Sequence, residues 1–118
     1  MHALSLLALL LPLVAAKSHK LCTCRTYTAA NGWETNPVLA RWVCYSHFFG
    51  IAVWDDKSQR CVARPDGPVD NKIDGDTWEN RCNFYGTQDG YYPIDPKGHP
   101  DRSKDPLKVD IALGQCFW

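Results

Sequence analysis

The sequence has no excess charge of either sign: in 118 residues, 13 Lys and Arg face 13 Asp and Glu. The two signs are interspersed, so no net field draws the chain to nucleic acid or to an anionic membrane. No apolar run approaches the roughly 20 residues that a membrane-crossing helix needs. No Asn-x-Ser/Thr triplet occurs, so N-glycosylation is not expected. Dibasic processing sites and internal repeats are also missing. There is no Cys-x-x-Cys, and only Cys22 and Cys24 lie close together. That excludes the paired ligand clusters of a structural zinc site and the dithiol motif of a redox protein. No metal or cofactor is expected.

What is present begins with an uncharged apolar segment, residues 3–14, followed by Val14-Ala15-Ala16. This predicts a signal peptide over residues 1–16, cleaved after Ala16, and a secreted product. Residues 17–118 then form one domain, near the lower limit for a self-sufficient core. Six cysteines follow the leader: Cys22, Cys24, Cys44, Cys61, Cys82 and Cys116. An even count in a short secreted chain implies three disulfides.

Residues 21–28, rich in Thr and Tyr, read as a first strand. Residues 29–35 read as a polar connection. Asn36 as N-cap and Pro37 at the first turn open a helix over residues 37–49. Val38, Trp42, Tyr45 and Phe49 form its apolar stripe, and Gly50 suits a left-handed cap. Residues 51–54 and 59–63 read as a hairpin around Asp55-Asp56-Lys57-Ser58. After a turn-rich loop, Asp76 with Glu79 forms a capping box for a second helix, which ends at Gly86. Trp78, Cys82 and Tyr85 share one face of it. Val109, Ile111 and Leu113 alternate against Asp110 and Ala112 in a last strand. The order is β-α-β-β-α-β, an α+β sandwich. Two helices cover one face of a four-stranded antiparallel sheet, stabilised by disulfides.

Residues two apart in a strand point the same way, so Cys22 and Cys24 share a face. Cys44 and Cys82, on the two helices, are their plausible partners, which leaves Cys61 with Cys116. This is one pairing among the 15 that six cysteines allow. A Cys22–Cys24 bond is not expected in an extended strand. "DNKIDGD" resembles a calcium loop, but Lys72 and Arg81 stand where carboxylates are needed. His19, His47 and His99 lack the neighbours of a nucleophilic or acid-base site, so no enzyme is expected. His47 falls near a helix C-terminus, where a positive charge is favoured. The solvated sheet face should carry Thr23, Arg25, Arg60 and Asp110. Tyr91 and Tyr92 lie in a long Pro-rich loop. There they either form a partner-binding patch or fold back over the sheet edge. The candidate partner-binding residues are Tyr91, Tyr92, Arg25 and Arg60.

The leader, "CTC", a cysteine-bearing helix and hairpin, "IDGDTWENRCNFYG" and a terminal Cys resemble the small cysteine-rich secreted effectors of plant-pathogenic fungi. The element order resembles the fold of the killer toxins of smut fungi. Within that group the chain is similar to secreted-in-xylem effectors of Fusarium that work with a second effector. The resemblance implies a virulence factor in the host apoplast or xylem. Its partner would be a host plant protein or a companion effector, and its state a monomer or heterodimer. Entry into host cells is left open. An antimicrobial or killer-type toxin is the alternative. Related proteins often carry Cys-Cys where this chain has Val43-Cys44 and Arg81-Cys82, so no disulfide map carries over.

Overall fold

The computed structural model describes residues 18–64 and 72–117. The expected leader and most of the turn-rich loop before Lys72 lie outside the described residues. Residues Leu21–Thr28 form β2, the central strand. Along one side it pairs antiparallel with β7, Ile111–Phe117, from Leu21 opposite Phe117 to Tyr27 opposite Ile111. Two strands share its other side. β3, Gly32–Thr35, pairs with residues 25–28, and β5, Arg60–Ala63, pairs with residues 21–22. β4, Ala52–Asp55, lies beyond β5. A small separate ladder joins β1, Ser18–His19, to β6, Ile73–Asp74.

Helix α1, Pro37–His47, links β3 to β4, and α2, Gly75–Asn83, precedes β7. The order β7-β2-β5-β4, with one helix in each half, is that of a split βαβ unit. The expected fold class therefore holds, with β3 and the β1–β6 ladder as additions. β3 falls in the stretch read as a polar connection. It is only four residues long and hydrophobic at one position, Trp33, so it carries no alternation to detect.

Three disulfides bind these layers: Cys22–Cys116, Cys24–Cys82 and Cys44–Cys61. Cys24 joins Cys82, one of the two partners open to it; Cys22–Cys116 and Cys44–Cys61 differ from the expectation. Cys22 sits directly opposite both Cys61 and Cys116, on either side of it. Cys61 and Cys116 are therefore two strands apart, about 9–10 Å, beyond the ~7 Å Cα limit of a disulfide. The bridges also fix the layering. Cys22, Cys24 and Cys61 share one sheet face, and Cys44 and Cys82 reach it from α1 and α2. Both helices thus cover that face.

The core between them centres on Trp78, Leu39, Val43 and Ile73, all fully buried. Trp78 Nε1–H donates to the Thr23 carbonyl at 2.7 Å, which satisfies the indole inside the core. Asn36 caps α1 as expected, accepting from Leu39 N at 3.0 Å. The buried stripe of α1 runs through Leu39, Ala40, Trp42, Val43 and Cys44. Val38, Tyr45 and Phe49 are exposed, Phe49 by 71%. The helix stops two residues earlier than expected because Phe48 turns inward, its ring 5.3 Å from that of Trp78. Gly50 does not adopt a left-handed conformation.

Two more boundaries move for local reasons. Asp74, not Asp76, caps α2. Its Oδ2 accepts from Thr77 N at 2.9 Å and from Thr77 Oγ1 at 2.6 Å. Gly86 does not end α2. The helix runs on as a π-helical turn, Phe84–Asp89, and stops at Gly90, whose φ is 90°. Gly86 is buried instead, where an added Cβ would lie 2.8 Å from Ala112 Cβ. In the hairpin, Gln59 belongs to the turn, with φ 57°.

Candidate partner-binding site

Alternation along β7 is opposite to that expected. Cys116 bonds to Cys22 on the helix side, so Ala112 and Gly114 share that side. Ala112 is fully buried there. Ile111, Leu113, Gln115 and Phe117 therefore face away from the helices. Directly opposed residues of an antiparallel pair project to the same side. Thus Leu113 stands beside Arg25, Ile111 beside Tyr27, and Trp33 of β3 on the other flank of Tyr27. Further along, β5 and β4 contribute Arg60, Val62, Val53 and Asp55.

This open face is unusually apolar. Trp33 is 45% exposed, Ile111 44%, Leu113 42% and Val53 40%. The rings of Tyr27 and Trp33 lie 5.6 Å apart and tilted. Arg25 is exposed among these groups. A shallow hollow of about 200 Å³ is lined by Arg25, Trp33 and Leu113. Arg60 lies 4.2 Å above the Phe117 ring, so its guanidinium is held by a cation–π contact. Thr23, expected at the surface, is buried in the middle of β2, and its hydroxyl has no hydrogen-bond partner in the protein. Asp110 precedes β7 and is not part of the face.

The structure brings Arg25 and Arg60 to the same sheet face, and places the tyrosines elsewhere. Tyr91 is buried, its backbone paired with Leu107 and its hydroxyl accepting from Asn36 Nδ2 at 3.0 Å. Asn36 Nδ2 also donates to Thr26 Oγ1, which sits on the helix side. Tyr91 therefore lies across the sheet from Arg25. Tyr92 is half-buried, 5.5 Å from the Trp42 ring and capped by Arg102 at 5.0 Å. Arg41 pins the same loop through the carbonyls of Ile94 and Asp95. Of the two readings of this loop, folding back onto the protein is the one found, although the surface it covers is the helix layer.

Sequence reasoning missed Trp33, Ile111, Leu113 and Val53. The signal that could have found the two β7 residues was the parity of Cys116: a half-cystine must face the core, and the odd positions then face away. His47 is exposed at the end of α1. Partial burial and the nearby Arg81 charge push its pKa below the ordinary value, against the expectation of a cation favoured there. His99 and Glu79 are exposed on the 95–100 turn and on α2. Among the described residues no three His, Cys, Asp or Glu side chains converge as metal ligands, and no helix is long and apolar enough to cross a membrane. No protein family, no characterised protein and no solved structure matches the chain.

Burial raises the pKa of Tyr91, the Asn36 bond opposes this, and the Glu34 charge adds to it. The phenol of the unfolded chain thus ionises first. Stability present below pH 10 is lost as the pH rises from there through the folded-state value. Urea denaturation should show this decline in the wild type and a smaller one in Tyr91→Phe. Equal declines would remove Tyr91 as the cause.

Proposed function

We propose that the chain is a secreted effector that acts by binding another protein, in plant host tissue, through the open face of its sheet. The partner is a host protein or a companion effector. The observation that carries this reading is the cluster of exposed apolar side chains Trp33, Ile111 and Leu113 around Arg25 and Tyr27, with Val53 farther along the same face. Antiparallel sheets commonly leave one face solvated, and that face is then polar. An exposed apolar cluster with an embedded arginine is instead the composition of an interface core. Its charge complement is a partner that presents a carboxylate amid apolar side chains. Three disulfides suit an oxidising, extracellular setting.

The test compares the wild type with Arg25→Glu and Leu113→Asp. A co-secreted or host protein captured by the wild type is titrated calorimetrically against each. Each variant should weaken binding by about 30-fold or more, the effect of losing a hot spot, with an unchanged melting temperature. A partner that binds all three equally uses some other surface. Lysis of liposomes by the wild type, with no partner recovered, would favour the toxin reading.

A further inference from the structure

We propose that a second site, on the helix side of the molecule, binds a small aromatic carboxylate. Between α1, the β4 edge and the loop after Tyr92 lies a cavity of about 200 Å³. Its walls include Tyr45, Phe49, Trp54 and Ile94, and it reaches Ala52 and Cys44. A smaller hollow of about 110 Å³ shares Arg41, Trp54 and Ile94 with it.

Size and lining define the body of the ligand. An apolar cavity of about 150 Å³ holds one benzene ring. This one has room for a ring and a small substituent, and it offers three aromatic walls. Charge defines the substituent. Among the described residues, the ionisable side chains lining the cavity are Arg41, Arg64 and the Tyr45 phenol. Arg41 is already held in place, since Nη1 donates to the Ile94 carbonyl at 3.3 Å and Nη2 to the Asp95 carbonyl at 3.4 Å. A guanidinium has five N–H donors, so these two contacts leave others for an incoming carboxylate. Fixing the arginine beforehand removes part of the ordering entropy that binding would otherwise incur. The site lies at the helix side of the β4 edge, and Val53 on that edge is the residue it shares with the open face.

Benzoate is the probe and benzyl alcohol its uncharged control. In 1H–15N spectra of the intact protein, benzoate should shift the amides of Tyr45, Phe49 and Ile94 saturably, with a dissociation constant on the order of 1 mM or below. Benzyl alcohol should bind at least about tenfold more weakly. Arg41→Gln and Arg64→Gln should each weaken benzoate by about tenfold and leave benzyl alcohol unchanged. Two variants are used because Arg41 also holds the loop. Shifts that fail to saturate by about 10 mM benzoate, equal binding of the alcohol, or full benzoate affinity in both variants would overturn the proposal.

Discussion

Replacing Cys24 and Cys82 together by alanine lowers the unfolding free energy by about 4 kcal/mol. The bridge spans 58 residues, and the entropy it removes from the unfolded chain grows with that span. It also joins the central strand to α2, whose other buried anchor is Trp78. Cys44–Cys61 spans only 17 residues, so its removal should have the smaller effect, about 3 kcal/mol. For a domain whose whole stability is of the order of 5–15 kcal/mol, either loss is large. Urea denaturation of the two double variants checks both size and order. A loss under about 1 kcal/mol for the Cys24–Cys82 pair, or a reversed order, would contradict this account.

Gly114→Ala destabilises the fold by about 3 kcal/mol or more, above the ordinary range for overpacking. An added Cβ would lie 2.5 Å from Glu79 Cα, 2.9 Å from Glu79 N and 2.8 Å from Trp78 Cδ1. The obstacle is the α2 backbone, which cannot rotate aside as a side chain can. The effect is one of space, because Gly114 is not in the left-handed region. The glycine leaves α2 lying directly on β7, with the Trp78 indole against the strand and its N–H on the Thr23 carbonyl. Two other glycines supply the comparison. Gly32 meets nothing within 4 Å but has φ 70°, so Gly32→Ala should cost about 1 kcal/mol through the backbone alone. Gly50 has neither constraint, and Gly50→Ala should be near neutral. Denaturation midpoints of the three variants should fall in that order. A Gly114→Ala protein as stable as Gly50→Ala would mean that α2 does not press on β7 as described.

The candidate site was half legible. Arg25 and Arg60 were legible on the open face because a solvated sheet face suits charged side chains. The apolar groups around them were not, since the pattern Val109, Ile111, Leu113 reads as a core face when hydrophobicity is the only guide. In this protein the β7 core face is Ala112, Gly114 and Cys116, small residues that let α2 approach closely. Small side chains carry no hydrophobic signal, and the larger ones that do carry it point to solvent. The tyrosines misled for a related reason. A Pro-rich loop reads as exposed, yet the Asn36 bond to Tyr91 and the Arg41 bonds to the loop carbonyls tie it to α1.

By itself the sequence determined the class of fold, the strand at residues 21–28, the cap at Asn36, the turn opened by Asp55 and the presence of three bridges. Those features depend on local propensity, on hydrogen bonds spanning three or four residues, and on cysteine count. Only the tertiary structure decided which cysteines meet, which face of β7 is buried and where the exposed apolar surface lies. Each of these depends on strand neighbours far apart in the chain. Cys22 shows the difference: two cysteines flank it in the sheet, 39 and 94 residues away in sequence, and only their register reveals that they cannot join each other.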